Sequence, residues 1–402
     1  MYDVAIVGAR CAGSPTAMLL ARKGYRVLLV DKAAFPSDTM STHFIHAPGV
    51  ARLQRWGVLD KVVASNCPPV RSYSLDLGPF SLTGCPPPMD GVDTGYAPRR
   101  TVLDKILVDA AVEAGAELRE RFPIEEVCFE GDRVIGVRGR TTNGTKVTER
   151  ARLIIGADGL RSLVARTVGA PITYEKPTVA CVYYTYWSGV KVDRVELYPR
   201  ENRFAVAFPT NDDLVCTFMA FPREAFQDVK KDIEGHYLKT LELMPRLAER
   251  ILSGKRAGCY IGTANLPNFF RKPYGPGWAL VGDAGYHKDP NGAHGISDAF
   301  RDAALLSDAV DRGFSGREPL EDALANYERQ RNESAMPSFE LNFQFATLQP
   351  PPPEVQSLFG ALRGNQPATD RFIGAMIGTV PIPEFFAPAN IERVLSAGAG
   401  NQ

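Results

Sequence analysis

The sequence predicts an α/β fold: a buried parallel sheet built from separate stretches of the chain, an antiparallel sheet inserted between them, and a helical tail. Three observations predict it. Short apolar runs at residues 4–7, 153–155 and 278–281, with a β-rich run at 25–30, have the character of buried parallel strands. Between residues 178 and 222, aromatic and β-branched residues alternate around polar turns, the period of an antiparallel sheet. Beyond Pro350-Pro351-Pro352-Pro353 only weaker helical pieces remain.

At 402 residues the chain exceeds the roughly 100–200 residues usual for one domain, so two intimately joined domains are expected. Lys+Arg and Asp+Glu both number 46, a balance that argues against a nucleic-acid or anionic-membrane partner. The seven cysteines are scattered without a C-x-x-C pair, so free thiols are expected and a metal site is not. The chain opens directly on strand-like Tyr2-Asp3-Val4-Ala5-Ile6-Val7, and no apolar run reaches the roughly 18–20 residues that cross a bilayer. A soluble, cytoplasmic protein with no membrane span is the expectation.

In chain order, residues 4–7 form a strand, Ser14 to Lys23 a helix closed by Gly24, and Tyr25 to Val30 a second strand, one βαβ unit. Residues 49–63 read as helix. Residues 67–95, with Pro86-Pro87-Pro88, read as irregular. Arg100 to Ala114 is an amphipathic helix closed by Gly115. Residues 133–138 and 146–149 form a hairpin around Asn143-Gly144. Residues 224–252, 297–311 and 319–335 are helical.

Gly8-Ala9-Arg10-Cys11-Ala12-Gly13 lies between strand and helix, where a dinucleotide fingerprint belongs. Gly8 permits the turn, Gly13 permits close helix–strand packing, and the helix start offers N–H groups to a pyrophosphate. Asp31 ends the second strand, placed for ribose hydroxyls. Its charge would repel a 2′-phosphate, so FAD or NAD fits better than NADP. Gly8, Arg10, Cys11, Ala12, Gly13, Asp31 and the adjoining Lys32 are the candidate contacts. Arg10 stands where the fingerprint has its second glycine: its side chain either obstructs the pyrophosphate or reaches round to pair with it.

Two later motifs narrow the reading. Gly156-Ala157-Asp158-Gly159-Leu160-Arg161-Ser162 follows one strand, and Gly282-Asp283-Ala284 follows another, leading to Pro290-Asn291-Gly292-Ala293-His294-Gly295-Ile296-Ser297 at a helix start. With the first motif, these resemble the three fingerprints of the flavoprotein hydroxylases typified by para-hydroxybenzoate hydroxylase; geranylgeranyl reductases and flavin-dependent halogenases are similar relatives. The resemblance spans about residues 1–345. It implies a Rossmann-like FAD-binding domain at 1–66, 96–177 and 271–345, a substrate domain at 67–95 and 178–270, and a tail at 346–402.

The resemblance also implies roles. Asp283 and Gly282 resemble the ribityl-binding turn, and Asp158 and Gly159 the turn supporting the pyrophosphate. Arg100 matches an arginine near the ribityl–phosphate junction, and Val127 a position against the adenine. Pro290 resembles the proline beside the flavin reaction centre, and Gly295, Ile296 and Ser297 the helix start facing the flavin O2/N1 edge. A helix N-terminus there stabilises the charge of a reduced ring. His287 and His294 flank the Pro290 loop and, with His46, are candidate acid–base groups; His43 and Lys288 are further candidates. The sequence departs from the usual G-D-A-A-H at Gly285-Tyr286, and has Ser297 for the usual Asn.

The implied function is an FAD-dependent monooxygenase that uses a flavin C4a-hydroperoxide, O2 and NAD(P)H to hydroxylate an aromatic or polyketide-like molecule, as in secondary metabolism. A geranylgeranyl reductase-like alkene reductase is the alternative. A halogenase is disfavoured because Phe204-Ala205-Val206-Ala207-Phe208-Pro209 replaces W-x-W-x-I-P, and a flavin-binding protein without turnover stands last. Tyr183, Tyr184, Tyr186, Trp187, Tyr198, Phe204, Phe208 and Phe218 offer an aromatic wall to an aromatic or apolar substrate, or form core. Alternation puts Tyr184 and Tyr186 on one face, Tyr183 and Trp187 on the other. The tail's apolar residues need burial, as a lid over the substrate cavity or as a homodimer contact.

Overall fold

A computed structural model describes residues 1–399; positions 400–402 of the expected tail lie outside the described residues. The main sheet runs in the order Tyr274–Gly275, Trp278–Leu280, Lys146–Gly156, Tyr2–Val7, Val27–Val30, Glu117–Arg119. All its neighbours are parallel except the terminal pair Tyr274–Gly275 and Trp278–Leu280. Val4 and Ile6 face the helices Gly13–Arg22, Arg100–Glu113 and Gly295–Phe314, while Ala5 and Val7 face Val127, Val137 and Trp278 on the other side. Two covered faces explain why these strands are apolar without alternation.

The expected fold class is the observed one. The main sheet takes in residues 278–280, which pair with Lys146–Gly156 far upstream. That strand is longer than expected. Its first half pairs antiparallel with Arg133–Arg140, and its second half pairs parallel with Tyr2–Val7. Between them Ala151 is buried and its neighbours Arg150 and Arg152 are exposed, so alternation carries the strand through a stretch too polar to read as one.

The second sheet runs Lys255–Arg256, Ala180–Ser188, Val215–Pro222, Arg203–Pro209, Val195–Arg200, Tyr73–Asp76, Ser81–Gly84. The last two strands come from the stretch expected to be irregular. Tyr73, Leu75 and Leu82 alternate inward, and the three prolines begin only after that hairpin ends. Tyr184 and Tyr186 share one face, and Tyr183 and Trp187 the other, as alternation requires. The second of these faces is closed by the helices Phe226–Lys231, Ile233–Leu241 and Pro245–Ser253.

The first face is closed by the tail. Helices Pro353–Leu362, Gln366–Ile377, Ile382–Phe385 and Pro388–Ala399 bring Phe359, Phe372 and Phe385 into the core that holds Phe204, Phe208 and Phe218. The helical stretch expected at 49–63 divides into Ala47–Arg55 and Leu59–Val63 at Gly57, whose φ of +69° takes it out of the helix. All seven cysteines are free. Among the described residues, no helix is long and apolar enough to cross a membrane.

Candidate active site: a nucleotide cradle beside an apolar cavity

The first turn is built so that only glycine fits. Gly8 has φ +103°, and a Cβ there would lie 2.4 Å from the Ala157 carbonyl oxygen. A Cβ on Gly13 would lie 1.7 Å from the Gly8 carbonyl oxygen. The helix starting at Gly13 has no side-chain cap at Ala12; Ser14 N donates to Arg10 O at 3.0 Å and Pro15 has no N–H, so the Gly13 N–H and the turn before it are what the helix start offers an anion. Each Asp31 carboxylate oxygen accepts one backbone N–H, from Ala9 and Ala33 at 2.8 Å, and retains lone pairs for a ribose. Lys32 is exposed beside it.

Arg10 does not turn toward the helix start. Its guanidinium ion-pairs with Asp104, donates to Ser37 Oγ at 3.0 Å, and lies over the Phe35 ring. Arg100 clasps the same carboxylate from one helical turn earlier, at 2.9 and 3.0 Å, and Cys11 Sγ approaches it at 3.4 Å. Asp104 is fully buried. It is thus the hub joining the fingerprint turn, the long helix and the 35–38 loop. Sequence reading passed over it, although Arg100 and Asp104 stand i, i+4 on a helix, the spacing that lets them pair.

The other candidate contacts are placed as follows. Val127 is buried in the strand Ile124–Glu130. Asp158 Oδ2 accepts from Leu163 N at 2.6 Å and so caps the helix Leu163–Thr167, while its buried Oδ1 has no partner; burial raises its pKa. Gly159 has φ +74°. A Cβ on Gly282 would lie 2.7 Å from Ala12 Cβ, so the third motif closes directly onto the first. Asp283 and Gly295 are exposed, and Ile296 and Ser297 begin the helix Gly295–Phe314, with Ser297 Oγ unpartnered. Glycines that admit no Cβ, uncapped helix starts and unpartnered oxygens fit a dinucleotide of the FAD type.

Next to that helix start lies an apolar cavity, partly open to solvent. Its walls come from the second sheet (Tyr73, Phe204, Phe208, Phe218) and from the tail (Phe372, Met376); its floor is Pro290, Asn291, Gly292 and His294. Of the aromatic residues singled out from sequence, Phe204, Phe208 and Phe218 line it. Tyr183, Trp187 and Tyr198 are core on the opposite face. Tyr184 and Tyr186 instead hold the 41–43 segment, through Ser41 N at 3.2 Å and His43 Nε2 at 2.8 Å. Tyr73 and Asn291 were not picked out from sequence, whereas Phe372 and Met376 are among the tail's apolar residues expected to need burial.

The histidines divide. His287 sits outside the cavity, its Nδ1 against the Pro267 carbonyl and its ring stacked on Phe269. His46 and His294 meet at 5.3 Å between ring centres on the cavity floor. Carbonyl partners fix their tautomers, since a carbonyl can only accept. His46 Nε2 donates to Gly292 O at 3.0 Å, so its neutral Nδ1 accepts from Tyr73 O–H at 3.1 Å. His294 Nε2 donates to Met376 O at 2.9 Å, tying the Pro290–His294 turn to the tail. His43 Nδ1 donates to Ala97 O at 3.0 Å.

Burial pushes His46 from 6.5 down to about 4 and His43 to about 3, with Lys288 and Arg99 respectively adding repulsion; His294 is lowered for the same reasons. Lys288 is itself buried, paired with Asp298 at 3.0 Å and Ser338 at 2.8 Å, and Asp298 is shared with Arg301. Asp289 is buried and pushed up to about 6.

These shifts dictate how stability varies with pH. A histidine held neutral when folded takes a proton on unfolding, so the unfolded state binds more protons below pH 6.5. Stability is then full above 6.5 and falls as pH drops. For a histidine shifted like His46, the loss between pH 7 and 5 is about 2 kcal/mol. Asp289 acts oppositely, adding stability as pH falls below about 6, and the raised carboxyls of Asp158 and Asp302 act in the same sense, but the larger shifts of the three histidines set the sign between pH 7 and 5. Urea unfolding should give a lower stability at pH 5 than at pH 7, and His46→Asn should flatten that slope.

Comparison with known proteins gives the family. The profile of the FAD binding domain family matches residues 1–237. The chain belongs to that family. This flavoprotein is an FAD-dependent oxidoreductase. It is 25% identical over 350 residues to the digeranylgeranylglycerophospholipid reductase of Methanocella arvoryzae, covering 85% of this chain and 86% of the reductase. It is 23% identical to the tryptophan 2-halogenase of Chondromyces crocatus, over 81% of this chain and 64% of that protein. In fold it matches a flavin-dependent brominase (TM-score 0.82, 18% identity, both chains covered completely). It also matches a probable FAD-dependent monooxygenase from Pseudomonas aeruginosa (TM-score 0.71, 21% identity, covering 94% of this chain and all of the other).

Proposed function

We propose that this flavoprotein is a monooxygenase that hydroxylates an aromatic or polyketide-like small molecule, with O2 as oxidant and NAD(P)H as electron source. The observation that carries the reading is the apolar, aromatic-walled cavity whose floor is the Pro290–His294 turn leading into the Gly295 helix. FAD, held by Gly8, Gly13, Asp31, Arg100, Asp158, Asp283 and the 295–297 helix start, supplies oxygen activation when reduced. The protein's own part is physical. The sheet and tail keep water from the reacting atoms. The helix start at Ile296 and Ser297 offers N–H groups to developing negative charge. His46, fixed by Gly292 and Tyr73, holds the floor in place and serves as a neutral imidazole rather than as a cation. Pro290 stiffens the turn beneath the substrate.

In this reading the substrate domain is 67–95 plus 178–270, the remaining segments to 345 bind FAD, and residues 346–402 act as the lid of the cavity. Alkene reduction is the second reading. The similarity to prenyl-lipid reductases over most of both chains favours it, and so does an apolar cavity. Halogenation stays disfavoured: residues 204–209 lack both tryptophans, and no lysine lines the cavity among the described residues. The test is product formation from NAD(P)H with a panel of polycyclic phenols under ¹⁸O2 and under argon. A monooxygenase gives labelled product with ¹⁸O2 and none under argon. Equal turnover under argon, with an alkene saturated, would overturn the proposal.

A further inference from the structure

The cavity is apolar, and its lining contains no Lys, Arg, Asp or Glu among the described residues. Its polar groups are nearly all committed elsewhere. The His46 N–H goes to Gly292, the Tyr73 O–H to His46, and the His294 N–H to Met376. Ser338 donates to Ala335 and accepts from Lys288. Asn342 Oδ1 and the whole side-chain amide of Asn291 are the exceptions. The Asn291 side chain is buried, 5% exposed, and neither Oδ1 nor Nδ2 has a hydrogen-bond partner.

The backbone that carries this amide is held in place. Asn291 N donates to Asp289 Oδ1 at 3.1 Å; Asp289 N donates to Asn268 Oδ1 at 2.7 Å; and Asn342 Nδ2 donates to the Asp289 carbonyl at 2.6 Å. A buried carboxamide with both ends free is costly unless something takes them. A built support makes it a recognition group rather than a packing accident.

We infer that Asn291 is the specificity-determining residue of the cavity. It recognises a neutral, largely apolar substrate through a paired donor and acceptor on one edge, as in a lactam, a carboxamide or a hydroxy-ketone. Asn342 Oδ1, also buried and unpartnered, adds a second acceptor beside it. Anionic substrates are rejected because no cation lines the walls and a carboxylate would be desolvated without compensation. The inference rests on the cavity's being the substrate site, but its test reads binding and not turnover, so it succeeds or fails independently of the oxygen chemistry.

The experiment is a titration of the FAD-loaded protein with three matched probes, followed by quenching of its intrinsic fluorescence. The probes are 6(5H)-phenanthridinone, its N-methyl derivative and phenanthrene-9-carboxylate. The lactam is expected to bind at least tenfold more tightly than either of the others. Asn291→Leu should abolish that difference while retaining FAD, and Asn291→Gln should retain part of it. Equal affinities in the parent protein, tighter binding of the carboxylate, no binding by any probe, or an undiminished lactam preference in Asn291→Leu would each overturn the assignment. So would loss of FAD from Asn291→Leu, since that would place the amide on the cofactor.

Discussion

Gly13→Ala should yield a protein that folds poorly and retains no FAD. The added methyl would lie 1.7 Å from the Gly8 carbonyl oxygen and 3.1 Å from Ala157 Cβ, and the first of these neighbours is backbone that cannot swing aside. Either the first helix lifts away from the strand ends, opening the pyrophosphate cradle, or the Gly8 turn collapses. A shift of that kind costs about 3 kcal/mol or more, a large part of the stability of an ordinary domain. Gly360→Ala is the control. It lies in a helix with nothing within 4 Å of the new Cβ, and should be neutral or slightly stabilising. Flavin absorbance after gel filtration and the midpoint of thermal unfolding read both effects. A Gly13→Ala protein that binds FAD normally would mean that the first turn is not where the dinucleotide sits.

Asp104→Ala should be nearly as damaging, for an electrostatic reason. Removing the carboxylate leaves Arg100, one-tenth exposed, without its partner, and leaves Arg10 facing it across the vacated space. Breaking a buried pair from one side costs about 3–5 kcal/mol, because the remaining charge stays desolvated. Asp104→Asn should recover part of the loss by accepting one hydrogen bond. Arg10→Ala and Arg10→Gly leave the Arg100–Asp104 pair intact and release only the 35–38 loop, so each should cost less than Asp104→Ala. Titration with FAD then separates the two readings of Arg10. Equal weakening in both variants indicates that the guanidinium helps to hold the cofactor; unimpaired or better binding in Arg10→Gly indicates that it only ties down the loop. Unfolding in urea at pH 7 checks the stability order.

How much of this was legible beforehand follows from the range of the interactions involved. The parallel sheet could be read because each of its strands is covered on both faces, which leaves an unbroken apolar run in the sequence. The three turns could be read because Gly8 and Gly13 mark places where backbone meets backbone, and Gly159 and Gly282 places where φ is positive. The hairpin at 73–84 was hidden because its four-residue strands sit next to three prolines, and its partner strand at Val195–Arg200 is more than a hundred residues away. Nothing local distinguishes Phe204, which lines the cavity, from Tyr198, which is core. That depends on which face of the sheet the tail covers. Asp104 was visible as a letter beside Arg100, but its role comes from Arg10 and Cys11, brought to it by the packing of the first helix on the long one.

The central claim is that the FAD crevice and the apolar cavity share one floor, the Pro290–Ser297 turn. The most direct measurement is the visible spectrum of the FAD-loaded protein during titration with 6(5H)-phenanthridinone, with binding followed independently by calorimetry. A ligand seated in the cavity lies against the flavin ring, so the flavin bands should shift and sharpen in proportion to the calorimetric saturation. Saturable binding that leaves the flavin spectrum unchanged would show that cavity and cofactor are not neighbours, and would contradict the account.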